Sequence, residues 1–209
     1  MKPKHPMRWM ATAAMMLFSV QAHAIELDAG GEKIEIPAPP GYVLLTPEMK
    51  LPHNAMLTLM SRHDVRATFI PEIVATSLKK GKAIGFNQFY TVSISEKNAR
   101  RRADPAAIQR LTDWARNQRQ SSADMEELPV HTENAQMVGF SSLLTRTAPD
   151  KDKPASTAIL STTMLQVKER IISLDVVDSG NDLYWAQSTS RQWAESIISA
   201  NQSTQASPR

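Results

Sequence analysis

Residues 135–177 read AQMVGFSSLLTRTAPDKDKPASTAILSTTMLQVKERIISLDVV, and the way this stretch pairs with itself decides the fold. Ala135–Arg146, Ser156–Val167 and Ile171–Val177 are three runs rich in β-branched and apolar residues, a composition that suits a pleated, half-buried backbone. The first two are separated by Ala148-Pro149-Asp150-Lys151-Asp152-Lys153-Pro154, whose charges and prolines belong to an exposed connection. Lys168-Glu169-Arg170 is a tight polar turn between the second and third. The pattern predicts three antiparallel strands in a meander. Ser179-Gly180-Asn181-Asp182 then caps a last helix, with an apolar stripe of Leu183, Ala186, Trp193, Ala194, Ile197 and Ile198. Gln202–Arg209 is polar throughout and is expected to be a disordered tail.

Working back toward the N-terminus, Phe86–Ser95 alternates, with Tyr90, Val92 and Ile94 on one side. Asp104-Pro105 opens a helix to about Arg119, striped by Ile108, Leu111 and Ala115, and Gln120–Glu133 reads as a polar loop. Val65–Ile70 is a strand, and Pro71 starts a short helix that ends near Gly81. Pro52–Arg62 reads as a helix with Ala55, Met56, Leu59 and Met60 on one face. Glu32–Ile36 and Tyr42–Leu45 are short strands on either side of Pro37-Ala38-Pro39-Pro40-Gly41. Strands mixed with helices, closing on consecutive strands and a helix, give an α+β domain: a largely antiparallel sheet with helices packed on it.

The first 24 residues stand apart. Lys2, Lys4 and Arg8 precede an apolar run from Trp9 to Val20, and Ala22-His23-Ala24 supplies the small-x-small pattern of a signal-peptidase site. The run is shorter than the roughly 20 residues that span a bilayer. The expectation is an exported chain cleaved after Ala24, with a single domain over 25–201, located in the periplasm and lacking an integral membrane segment. Three of the chain's 24 Lys and Arg lie in this leader, so the remainder carries 21 against 21 Asp and Glu. A neutral mature chain gives no support for a nucleic-acid partner. With no cysteine, disulfides, thiolate nucleophiles, Cys-ligated metals and a lipid-modified Cys anchor are all excluded.

Pro37-Ala38-Pro39-Pro40-Gly41-Tyr42, Arg66-Ala67-Thr68-Phe69-Ile70-Pro71 and the closing Trp185, Trp193 and Ala200-Asn201 resemble a group of uncharacterised exported proteins of proteobacteria. Their organisation is similar to the α/β sandwich of the PsbP and DcrB type. The resemblance spans most of residues 33–201 and rests on packing and turn residues. It implies the fold and a Gram-negative periplasm, and brings no catalytic residue with it.

The chemistry-bearing residues are few. His53, Met56, Met60 and His63 share a helical face, but ten residues at 1.5 Å each set the two histidines about 15 Å apart, too far for one metal. Gly139-Phe140-Ser141-Ser142-Leu143 lacks the second glycine of a nucleophile elbow. A carboxylate pair drawn from Asp175, Asp178, Glu126, Glu127 and Glu133, or a serine beside His131, would need the fold to bring them together. Asp178–Asp182 has oxygen ligands for calcium but not the EF-hand spacing, and serves as a helix cap. No cofactor is expected. Trp114 and Trp193 fall on or beside apolar stripes and are expected in the core, which leaves Trp185 as the partly exposed aromatic.

One charge imbalance remains: Lys97, Arg100, Arg101, Arg102, Arg110, Arg116 and Arg119 against Asp104 and Asp113. Three consecutive arginines cannot all face inward, so Arg100, Arg101 and Arg102 are expected on a surface turn, and with Trp185 they are the candidate binding residues. The leading expectation is a non-catalytic periplasmic protein that binds another periplasmic protein or an anionic envelope component. The alternatives are a periplasmic hydrolase whose site follows no linear motif, and an immunity or inhibitor protein against a toxin acting on the cell wall.

Overall fold

The structure is a computed structural model that describes residues 24–49, 64–82, 84–117, 124–146 and 156–203. Residues 1–23 of the expected 24-residue leader, the expected helix at 52–62 with its His and Met residues, and the 148–154 connection lie outside the described residues.

The meander forms as the sequence predicts. β8 (Met137–Arg146), β9 (Ser156–Val167) and β10 (Arg170–Asp178) pair antiparallel in unbroken register, Ser142 opposite Leu160 and Leu174 opposite Thr163. Lys168 and Glu169 both take positive φ, 46° and 61°, the geometry of a two-residue hairpin whose twist matches its strands. Arg170 therefore belongs to the strand and not to the turn. β10 is the centre of the large sheet: β3 (Tyr42–Leu44), β4 (Val65–Pro71) and β5 (Gln88–Ser93) lie on one side of it, β9 and β8 on the other. Two short strands, β6 (Met125–Glu127) and β7 (Thr132–Glu133), pair with the outer edge of β8 inside the stretch expected to be a loop. All these pairings are antiparallel. β1 (Ile25–Ala29) and β2 (Glu32–Ile36) form a separate hairpin.

The period-two pattern sorts the sheet's side chains onto two faces. Phe69, Tyr90, Val92, Leu165, Ile172, Leu174 and Val176 share one face and are covered by the hairpin's Ile34 and Ile36 and by α4 (Leu183–Ser203) with Trp193, Ala194 and Ile197. The opposite face carries two smaller clusters. α1 (Glu72–Lys79) packs Val74, Ala75 and Leu78 on Ile70 at the β3–β4 side. α3 (Ala107–Asn117) packs Ala107 and Ile108 on Ile171 at the β10–β8 side. Among the described residues, a fourth helix, α2 (Glu96–Arg100), follows β5 and buries no residue. This is the α+β architecture that the order of elements implies.

Three local expectations change. Leu183 begins α4 yet is 36% exposed and not part of the core. Trp114 is 40% exposed and not core. α4 runs through Ser203, so the helix continues into the expected tail, whose last six residues lie outside the described residues. The cap assignment holds: Asp182 Oδ1 accepts from the Trp185 amide at 2.9 Å, and Asp178 accepts from the Gly180 and Asp182 amides at 2.9 and 2.8 Å.

Candidate functional site

The basic residues gather at the end of the sheet where β10 begins. Ser95 caps α2, its hydroxyl accepting from the Asn98 amide at 3.2 Å. Arg100 is the last residue of that helix, not part of a turn, while Arg101 follows in extended backbone and Arg102 lies outside any helix or strand. The segment is tied down immediately afterwards: the Ala103 amide donates to the Glu169 carbonyl at 2.7 Å, fixing it to the β9–β10 turn. Asp104 then closes the first turn of the next helix, accepting from the Ala106 amide at 2.9 Å.

Between these pinned points opens a cleft of about 610 Å³ whose walls include Lys97, Arg101, Arg102, Arg110 and Trp114, over a floor that includes Leu111 and Ile171. Its volume is in the range of small-molecule sites. Four cations face one carboxylate there, Asp104. That carboxylate is already engaged. Arg110 donates to it at 2.7 Å, and this bond, helped by the Ala106 amide and the charge of Arg101, holds its pKa below the usual carboxylate range. Arg102 pairs with Glu169 at 3.3 Å and Arg100 with Glu96 at 3.7 Å, all four side chains well exposed. Exposed pairs of this kind contribute about 0–1 kcal/mol, so an arriving anion can compete for either arginine. Lys97 and Arg101 make no ion pair among the described residues.

Arg100, Arg101 and Arg102 are exposed and Trp185 is partly exposed, as expected, but the two do not lie together. Trp185 is half-buried, edge-on to Tyr90 with ring centroids 6.3 Å apart, on the hairpin-covered face and near the Asp178 end of β10. β10 spans nine residues, about 27 Å at roughly 3.3 Å per residue, so Trp185 and the arginines do not share a site. Trp114 is the aromatic that lines the cleft. It sits one helical turn after Arg110, edge-on to Phe140 at 5.8 Å and 40% exposed. Its position at the margin of the Ile108/Leu111/Ala115 stripe was the available signal. A stripe's margin is buried only where the neighbouring element is wide enough to cover it.

The other candidate constellations do not converge. Asp175 and Asp178 point to opposite faces of β10. Asp175 is 2% exposed, with Thr162 donating to it at 2.7 Å and Thr91 at 3.4 Å, and Asp178 is occupied with the turn before α4. Glu133 pairs with Arg116. No group of three His, Asp or Glu residues able to hold a metal occurs among the described residues. His131 does meet a serine: its Nε2 lies 3.2 Å from Ser161 Oγ, and Nδ1 lies 2.9 Å from Thr132 Oγ1. Ser161 is 0% exposed and also accepts from Ser141, which in turn accepts from Gln187 of α4. A hydroxyl sealed between sheet and helix cannot reach a substrate carbonyl. Burial, reinforced by Arg191, pushes the His131 pKa below its ordinary value.

No helix among the described residues is long and apolar enough to cross a membrane. No protein-family model and no curated protein sequence matches the chain. Solved structures similar to it include the Ran-binding protein Mog1p of Saccharomyces cerevisiae, at 11% identity and a TM-score of 0.35, covering 87% of this chain and 94% of that one. A mutant form of Mog1 is similar at 13% identity and the same TM-score, covering 87% of this chain and 91% of that one. Likeness at that score carries no functional argument.

Proposed function

We propose that this chain is an exported, non-catalytic protein of the PsbP/DcrB-like kind that works in the periplasm by binding an anionic envelope component or an acidic protein face through its basic end. The observation that carries the reading is the cleft itself: four cations facing one carboxylate that is already paired, in a chain whose residues 25–209 are balanced in charge. Cationic side chains gathered in a concave wall raise the local potential and draw anions to it. The leader with its Ala22-His23-Ala24 site supports the compartment.

The test is capture from an envelope extract, together with sedimentation on anionic vesicles, comparing the parent protein with Arg100→Ser/Arg101→Ser/Arg102→Ser. Binding by the parent that weakens as salt rises and is lost in the triple variant, with the melting temperature held, supports the reading. Retention of every partner by the triple variant overturns it. The hydrolase reading draws only on the His131–Ser161 contact, and the burial of Ser161 weighs against it.

A further inference from the structure

We infer that the cleft between α2 and α3 takes a single anionic phospholipid, its phosphate on Arg101, Arg102 and Lys97 and its glycerol-proximal apolar part on Trp114, Leu111 and Ile171. The inference rests on the reading of the basic end as a binding surface and names the class of ligand. Three observations favour this occupant. The cleft is amphipathic: Lys97 of α2, Arg101 and Arg102 of the α2–α3 connection and Arg110 of α3 supply cations, whereas Ile171, Ala107 and Leu111 supply apolar lining. A free phosphate would use only the cations. Trp114 meets Phe140 edge-on at 5.8 Å and is 40% exposed, so part of its ring is open to the cleft it lines. A partly exposed indole beside cations suits a ligand that is charged at one end and apolar at the other. The site is also concave and of small-molecule volume. A protein partner of standard size would need about 800 Å² of complementary surface on each side.

Arginine pairs with a phosphate through two parallel N–H donors, and Arg101 is the arginine of the cleft that no carboxylate occupies within ion-pair distance among the described residues. Arg102 adds a second fork once it leaves Glu169, an exposed pair of small worth. Asp104 does not repel the ligand's charge fully, because Arg110 already neutralises it at 2.7 Å. The headgroup phosphate thus lies toward the α2 end and the acyl ester region toward α3.

The experiment titrates the exported protein, recovered from the soluble envelope fraction, with dihexanoyl phosphatidylglycerol below its micelle concentration while tryptophan emission is followed. Dihexanoyl phosphatidylcholine, glycerol phosphate and inorganic phosphate are run in parallel. Anionic vesicle sedimentation is measured on the same samples. The expected result is a saturable blue shift with the anionic lipid, absent in Trp114→Phe and requiring about tenfold more lipid in Arg101→Ser. Circular dichroism melts of both variants check that they fold. Vesicle binding that depends on the arginines, without any Trp114 response to the short-chain lipid, overturns the cleft site while leaving the basic end as a binding surface. Absence of binding to vesicles and to captured partners alike overturns both. An equal response to inorganic phosphate or to the zwitterionic lipid overturns the assignment of an anionic amphiphile.

Discussion

The indole Nε1–H of Trp193 donates a 2.8 Å hydrogen bond to the carbonyl of Pro37, joining the terminal helix to the end of the first hairpin across 156 residues of chain. The ring also meets Tyr90 and Phe69 edge-on, with centroids 5.2 and 5.7 Å away. One side chain therefore touches the hairpin, two central strands and its own helix. Trp193→Ala is expected to destabilise the protein by about 3–5 kcal/mol, the usual range for truncating a buried Trp. Trp193→Phe keeps most of the ring and removes the donor, and is expected to cost about 1–3 kcal/mol by leaving the Pro37 carbonyl unpaired. Urea unfolding of the three proteins checks both values. A Trp193→Ala loss under about 1 kcal/mol would mean that the hairpin and helix hold together by other contacts.

Gly30 and Gly31 both take positive φ at the tip of that hairpin, 68° and 89°, but their surroundings differ. A Cβ on Gly30 would sit 2.0 Å from the carbonyl oxygen of Ala99 in α2, whereas one on Gly31 meets nothing within 4 Å. Gly31→Ala is expected to cost only the left-handed backbone term, about 1–2 kcal/mol. Gly30→Ala must also displace α2, which carries Lys97 and Arg100, and is expected to lose more than twice as much. Thermal melts of the pair decide it. Equal losses would show that α2 is free to move away from the hairpin.

How legible the fold was depends on how local each cause is. Lys168-Glu169-Arg170 between two long apolar and β-branched runs marked the β9–β10 hairpin, though not its register, since Arg170 pairs with Val167, and Trp193, Ala194 and Ile197 marked the inner face of α4. α2 was not legible: five residues with nothing buried carry no stripe, and the helix exists through the Ser95 cap and its seat against Gly30. β6 and β7 were missed because two or three residues in a polar stretch become strands only when the edge of β8 offers them partners. The arginines were legible as surface because three in a row cannot be buried. The cleft was not, since it requires Ile171 to face away from Ile172, and α3 rather than α4 to cover that face.

Arg170 is 7% exposed, and among the described residues its Nε and Nη1 find no acceptor, while its Nη2 reaches the Gly30 carbonyl at 3.4 Å. A guanidinium taken out of water without a carboxylate partner loses hydration that one long hydrogen bond does not offset. Its aliphatic stem still fills space beneath the hairpin. Arg170→Met keeps the stem's volume and removes the charge, so stability is expected to hold within about 1 kcal/mol or to rise. Denaturant midpoints and slopes of the two proteins measure this. A loss above about 2 kcal/mol would show that the buried guanidinium is better satisfied than its contacts suggest.

The last prediction concerns pH. Burial of the His131 ring is the first cause of its lowered pKa; the positive charge of Arg191 adds to it, and the hydrogen bond with the Phe140 backbone opposes both. The unfolded chain has the ordinary histidine value of 6.5, so it takes up a proton at a higher pH than the folded protein does. Between those two values the unfolded state binds more protons, and stability rises with pH. The cost of the buried ring is therefore absent above about pH 7, begins as pH falls through 6.5, and is complete below the lowered folded value. His131→Gln retains a side chain able to meet Ser161 and removes the titration. Its urea midpoint should fall less between pH 7.5 and pH 5 than that of the parent protein, while Asp and Glu titrations affect both equally. Matching declines in the two proteins would mean that the ring titrates at its ordinary value and is open to water, which would also bring Ser161 within reach of solvent and revive the hydrolase reading.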